Sequence, residues 1–171
     1  MTRDAELEKL APANGGEMIA LEIAWARGAL DCHVERILAF VDRNRDDIMQ
    51  LADDAAHETS ASPDPRAASP HPSDAHALLD AVKRVVGRAG AVHLPSEMRD
   101  QLQVMRDELW IRGERGDYDR ANIAQEWTSL HAANWRRWRL KEYAFVIDRS
   151  TDPILARLGA GSRAAGDRRG E

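Results

Sequence analysis

Apolar residues recur every seven positions through residues 16–56, and this repeat constrains the fold more than any other feature of the sequence. Steps that alternate between three and four residues place such side chains on one face of an α-helix. The segment has no proline and no glycine after Gly28, so the sequence predicts one long amphipathic helix over 16–56. The two interleaved series are Val34, Val41 and Ile48, and Ile23, Leu30, Ile37, Asn44 and Leu51.

A helix of that length needs partner helices, because helix propensity alone does not stabilise it in water. The rest of the chain supplies them. Ser73 is a good N-cap for a helix that follows it, and Gly159 is a good closing residue for the last one. The expected helices run from Asp74 to about Arg88, along an apolar stripe of Met98, Leu102, Met105 and Leu109, from Asp119 to about Asp148, and from Ile154 to Leu158.

Together these segments predict an all-α fold, an antiparallel helical bundle of about four helices. Residues 1–15 are expected to form a flexible N-terminus. Residues 57–73 contain four prolines and are expected to be a Pro/Ser-rich linker. Residues 74–158 would form the helical remainder of the same bundle, and residues 159–171 would be a disordered tail.

Asn44 is the one polar member of the apolar seam in the first helix. A polar group in such a seam can fix the register or the oligomeric state of a coiled coil. A homo-oligomer formed through residues 16–56 is therefore one expectation. The alternative places Asn44 at the exposed end of the helix, among the charged residues around it.

The composition argues against several classes of protein. The net charge is −5 and the pI is near 5.7, which argues against general affinity for nucleic acid or anionic lipid. Residues 1–14 lack the apolar region of a signal peptide, and no 18 consecutive residues are apolar, so no membrane span is expected. We expect a cytoplasmic protein, and the richness in Ala, Arg, Asp and Gly is typical of a GC-rich bacterial genome.

No motif in the sequence predicts catalysis, metal binding or a cofactor. Cys32 is the only cysteine, which excludes a cysteine cluster for zinc; in a periodic helix it is expected to be a buried structural thiol. A di-iron bundle needs Glu-x-x-His pairs, and the sequence has none. Neither a nucleophile elbow nor a Gly-rich phosphate loop occurs, so we expect no catalytic residue, no metal and no cofactor.

Residues 135–141 form the one unusual local cluster. The run Trp-Arg-Arg-Trp-Arg-Leu-Lys places four positive charges and two indoles close together in an acidic protein. Arg and Trp are enriched in binding hot spots, because planar side chains bury a large area at a small entropic cost. The sequence therefore predicts an exposed partner-binding face with three buried aromatic residues as its support. The face comprises Trp135, Arg136, Arg137, Arg139 and Lys141, and the support comprises Trp127, Trp138 and Phe145.

Besides an amphipathic helix that lies on a membrane surface, two other interpretations of this segment stay open. In a structural one, the tryptophans pack in the core while the basic side chains reach outward and pair with acids near the end of the first helix, such as Asp46 and Asp53. In the other, residues 121–143 form a helix–turn–helix of a DNA-binding regulator. The lack of glycine in the supposed turn and the negative net charge argue against DNA.

The C-terminal run from Leu158 to Arg163 resembles the short tails that dock cargo proteins into encapsulin shells. The resemblance covers six residues, and Ala160 and Arg163 stand where such tails usually carry apolar anchors. It implies shell cargo, such as a bundle-type metal carrier or enzyme. The residues as a whole favour a non-enzymatic helical protein that acts through protein–protein contacts, an adaptor or accessory factor with an unknown protein partner.

Overall fold

Seven α-helices make up the part of the chain that the computed structural model describes, residues 14–60 and 74–159. These two ranges contain no strand, which confirms the predicted all-α class. The number of helices in them exceeds the predicted count of about four. In chain order the helices are α1 (Gly15–Ala26), α2 (Asp31–Arg43), α3 (Arg45–Ser60), α4 (Asp74–Ala89), α5 (Leu94–Glu114), α6 (Arg120–Arg149) and α7 (Thr151–Leu158).

The structure has three helices, α1, α2 and α3, where the sequence predicts a single helix over 16–56. The first break is at Gly28, whose φ of +69° lies in the left-handed region that glycine adopts most readily. The second break is at Asn44, whose side-chain Nδ2 donates to the carbonyl of Phe40 at 2.8 Å. A side chain that bonds to a helix carbonyl competes with the backbone for that group, so each break has a local cause.

The apolar core lies where α2, α3, α4, α7 and the C-terminal part of α6 meet. Helices α3 and α4 pack along each other, and α7 packs on α2 and α4. Three members of the predicted seam, Ile37, Val41 and Ile48, are fully buried here. These three residues of the seam are therefore covered by the chain's own helices, whereas Ile23 is 47% exposed. Other fully buried core residues are Val82, Val86, Tyr143, Val146, Ile147 and Ile154.

Helix α7 closes one side of this core. Its buried residues are Ile154 and Leu158, and Gly159 ends it with a φ of +81°. The guanidinium group of Arg45, at the start of α3, donates to the carbonyls of Arg157 at 3.0 Å and Leu158 at 3.2 Å. These carbonyls have no partner inside the helix, so Arg45 fixes the end of α7 to α3.

Helix α1 lies against the C-terminal part of α6. Leu21 is the buried residue on its inner face. Lys141 donates to Glu17 at 2.7 Å, and Arg149 donates to Glu22. The two acids of α1 are thus both paired with cations of α6, and this arrangement orients α1 along that helix.

Three predicted features lie almost wholly outside the described residues. The flexible N-terminus overlaps the structure only at residues 14 and 15, and the tail only at Gly159. The predicted linker overlaps it at residues 57–60, which belong to α3. Leu158, the first residue of the run that resembles a docking tail, is buried in the core. None of the described helices is long and apolar enough to span a bilayer.

Replacing Gly28 with Ala tests the first break, because a broken and a continuous helix predict opposite changes in the free energy of unfolding. At a φ of +69° an added Cβ strains the backbone and meets Asp31 Oδ2 at 3.0 Å. We therefore expect Gly28→Ala to lower the free energy of unfolding by roughly 1–2 kcal/mol, measured by urea denaturation. In a continuous helix the same change would raise it by about 1 kcal/mol.

The matched control is Gly113→Ala in α5, where an added Cβ meets nothing within 4 Å. This change should stabilise the protein by up to about 1 kcal/mol, since alanine is the better helix former. Stabilisation by both substitutions would contradict the break at Gly28.

Candidate functional site

Helices α5 and α6 form a hairpin whose outer part we call the arm, residues 98–130. The chain turns back between Arg115 and Asp119, and α5 packs mainly against α6. Arg112 closes the turn, with ion pairs to Asp117 at 2.8 Å and to Glu126 at 2.6 Å. Two arm residues alone, Ile123 and Trp127, are buried. The arm is therefore a two-helix hairpin that extends from the core.

A hairpin of two helices is too thin to enclose its apolar side chains. Trp110 is 68% exposed and Tyr118 is 79% exposed near the turn. Met98 and Leu102, which belong to the stripe predicted from the sequence, are 54% and 48% exposed. Much of that stripe thus faces solvent and not the core. The exposed large apolar residues on or beside the arm are Leu94, Met98, Leu102, Val104, Trp110, Ile111, Tyr118 and Leu130.

A shallow cavity of about 240 Å³ lies near the outer end of the arm. It is lined by Arg106, Leu109 and Trp110 of α5 and by Arg120 of α6. Neither guanidinium group has a carboxylate partner among the described residues. The cavity therefore combines two unpaired cations with an indole and a leucine, which are residue types and charges suited to contacts with another protein.

The structure divides the five predicted partner-binding residues into two groups. Arg136 and Arg137 are exposed. Trp135 is partly buried, and the guanidinium carbon of Arg139 lies 4.8 Å from the centroid of its ring. Lys141 is partly buried and held by its ion pair to α1. The expected exposed face thus keeps two exposed residues, because contacts within the chain bury part of each of the other three side chains.

The three aromatic residues predicted to support that face lie inward. Trp127 and Phe145 are buried, and Trp138 is partly buried against the core. The indole N–H of Trp138 donates to Glu142 at 2.9 Å. Among the described residues, the acids that pair with this segment come from α1, α5 and α6 itself. They do not come from the end of the first predicted helix, where the structural interpretation placed them.

Arg139 lies at the centre of a cluster of charged side chains at the base of the arm. Its side chain is 13% exposed, and it contacts Asp100 at 3.1 Å and Glu142 at 3.1 Å. Arg36 of α2 reaches the same Asp100 at 3.6 Å. His33, also on α2, is 2% exposed, and its Nε2 lies 2.6 Å from Arg139 Nη1. The cluster joins α2, α5 and α6.

The imidazole ring of His33 lies between two arginines. Its Nε2 atom is 2.6 Å from Arg139 Nη1, and its Nδ1 atom is 3.3 Å from Arg36 Nη1. Glu142 Oε2 lies 3.7 Å from the same Nε2 atom. The buried ring therefore helps to hold the two guanidinium groups in place between α2 and α6.

A second buried pair lies beside this cluster. The hydroxyl of Tyr143 donates to Glu97 Oε1 at 2.7 Å, and the same oxygen accepts from the backbone N–H groups of Val92 at 2.9 Å and His93 at 3.3 Å. Burial, and then the Glu97 carboxylate, raise the pKa of the Tyr143 phenol above its ordinary value. Tyr143 therefore stays a neutral donor and ties the start of α5 to α6.

The sequence did not reveal these roles for Glu97, Asp100 and His33. The described residues contain no group of three His, Cys, Asp or Glu side chains that could hold a metal ion. Cys32 is exposed, which corrects the expectation of a buried thiol. Successive residues of a helix point about 100° apart, so Cys32 and its neighbour His33 do not both point inward. On α2 the inward residue is His33. What the cluster does is hold three helices together through paired charges.

Helix α6 runs without a break from Arg120 to Arg149. Residues 128–131, which a helix–turn–helix would need as its turn, are helical. The hydroxyls of Thr128 and Ser129 donate to carbonyls of the same helix at 2.8 and 3.0 Å. The geometry of a helix–turn–helix is therefore absent from this described segment.

Comparison of the chain with known protein families, with curated proteins and with solved structures finds no match in any of the three. Function is therefore inferred from the chain's own residues and contacts.

Replacing Arg139 with Met removes the cation that Asp100 and Glu142 share. Removing one partner of a buried ion pair destabilises a protein by about 3–5 kcal/mol. Asp100 is one-third exposed and keeps Arg36 at 3.6 Å, and Glu142 keeps the indole N–H of Trp138. We therefore expect a smaller loss, about 1–3 kcal/mol, measured by urea denaturation. The control is Arg136→Met, exposed on the same helix, which should change stability by less than about 0.5 kcal/mol. If both substitutions changed stability equally little, Arg139 would not be part of a buried charge cluster.

The ion pair between Lys141 and Glu17 predicts how Glu17 titrates. The hydrogen bond from Lys141, and then the backbone N–H of Asn14, lower the pKa of the Glu17 carboxyl below its ordinary 4.5. Because folding favours the ionised form, the pair stabilises the protein above the ordinary pKa. That stabilisation is lost as the pH falls through the lowered value.

An NMR titration of the Glu17 carboxyl carbon measures this effect. We expect Lys141→Met to return the pKa of Glu17 towards 4.5, whereas the control Arg136→Met should leave it lowered. A pKa that Lys141→Met does not move would show that Lys141 is not the partner of Glu17.

Proposed function

We propose that this protein is a non-enzymatic helical binding module, an adaptor or accessory factor, whose recognition element is the arm. The observation that supports the proposal is the exposed aromatic and aliphatic surface of the arm, which no other described part of the chain covers. Contiguous apolar patches that remain exposed on a folded chain mark sites of interaction. The prominent side chains near its end, Trp110 and Tyr118, are of the types most often found in hot spots.

The base of the arm supports this function by holding the hairpin in one direction. Arg139 pairs with Asp100 of α5 and contacts His33 of α2, so it joins α5 and α6 to α2. Tyr143 ties the start of α5 to α6 through Glu97. A surface that is already ordered loses less conformational entropy when a partner binds. The arm is therefore suited to recognition without prior rearrangement.

The basic segment of α6 contributes to the proposed surface in two ways. Arg136 and Arg137 are exposed beyond the outer part of the arm and extend its surface towards the core with positive charge. Trp135 lies at the margin of this extension, under the guanidinium group of Arg139. Arg139 and Lys141 act from within, since their ion pairs fix α6 to α5 and to α1.

Photo-crosslinking from the end of the arm tests the proposal. We expect p-benzoylphenylalanine in place of Trp110 to crosslink a specific protein in cells that naturally express this chain, because the position is 68% exposed. The matched control carries the same residue in place of Asp53, which is exposed on α3 and should give no such product. The readout is mass spectrometry of the crosslinked band.

A crosslinking pattern from position 110 that equals the control from position 53 would overturn the proposal. Retention of the protein on a duplex DNA column, with an affinity that falls steeply with salt, would favour the DNA-binding alternative.

A further inference from the structure

We propose that the arm binds an acidic amphipathic helix of its partner, seated along the apolar stripe of α5. This inference rests on the proposed function and names the chemistry of the partner. The stripe runs over eleven steps of 1.5 Å, so it spans about 16 Å or three helical turns. An amphipathic helix of similar length fits such a surface, because the rows of side chains on two helices interdigitate. The stripe comprises Met98, Leu102, Met105 and Leu109.

The cations and most acids of α5 lie on different sides of the helix. At about 100° per residue, Arg99 and Arg106 form a column roughly 80° from the centre of the stripe. The acids Asp100, Asp107 and Glu114 also repeat every seven residues, but their column lies about 170° from that centre. Glu108 is the acid on the second flank, about 90° from the centre. A helix lying on the stripe therefore meets two arginines on one flank and one glutamate on the other, while the column of three acids points the opposite way.

Arg120 brings a further cation to the same part of the arm. It lines the cavity of about 240 Å³ together with Arg106, Leu109 and Trp110. Within residues 14–60 and 74–159, none of the guanidinium groups of Arg99, Arg106 and Arg120 has a carboxylate partner. A glutamate or aspartate of the partner that enters the cavity would meet two unpaired guanidinium groups, and charge-assisted hydrogen bonds of this kind are strong.

The same charge pattern disfavours a second copy of this chain on the stripe. A two-fold antiparallel pairing of α5 with itself brings identical flanks together. Arg99 of one chain would then approach Arg106 of the other, and like charges placed side by side oppose association. An acidic helix on the stripe replaces this repulsion with attraction. The charges therefore favour a different protein as the partner.

Two designed peptides of about 18 residues test the proposal. Both are amphipathic helices with leucines at steps of four, three and four; one has Glu on its flanks and the other has Lys. By isothermal calorimetry we expect the Glu peptide to bind and the Lys peptide to bind at least about tenfold more weakly. The variants Arg106→Glu and Arg120→Glu should reverse this preference, which loss of folding cannot do. The control Arg27→Glu, exposed between α1 and α2, should leave the preference unchanged.

Equal binding of both peptides, or binding of neither, would overturn the acidic helix as the occupant. A dimer that Leu102→Ser dissociates would assign the stripe to a second copy, and duplex DNA binding that Arg106→Glu abolishes would assign it to nucleic acid. Either result also overturns the proposal. The proposed function is judged separately, because a protein crosslinked from position 110 supports the arm as a binding element even where neither peptide binds.

Discussion

Arg139 connects the arm to the apolar core. Arg139 belongs to α6, its partner Asp100 to α5, and its neighbour His33 to α2. Burying a charge costs several kcal/mol unless it is closely paired, so the arrangement is stable only when the three helices keep their positions. Apolar packing therefore holds the core, whereas paired charges set the direction in which the hairpin leaves it.

The distribution of apolar residues follows from this division. The core helices bury Ile48, Val86 and Ile147 completely. Within the arm, by contrast, only Ile123 and Trp127 are buried, Met105 and Leu109 are half-buried, and the other large apolar side chains are exposed. Exposed apolar side chains contribute free energy only when another surface covers them. That difference is why we propose the arm as the recognition element.

The ends of α4 and α6 could be predicted from the sequence to within about one residue, because caps and glycines mark the ends of helices. Helix α7 begins at Thr151 and not at the predicted Ile154. The breaks at Gly28 and Asn44 could not be predicted, because the seven-residue repeat continues through both. The sequence shows that basic residues cluster around Arg139. Its partner Asp100 is 39 residues away, and apolar periodicity does not indicate which acidic residue pairs with which basic residue. The stripe over residues 98–109 has the spacing of a buried face; only the tertiary fold decides whether a helix covers it.

The most direct test of the account is whether solvent reaches the stripe of α5 in dilute, monomeric protein. A soluble paramagnetic agent broadens the NMR signals of exposed methyl groups and spares buried ones. We predict strong broadening for Met98 and Leu102, which are 54% and 48% exposed, and little for Ile48 and Ile147, which are 0% exposed. Protection of Met98 and Leu102 to the level of Ile147 would show that the chain covers its own stripe, and the arm could not then be the surface that binds a partner.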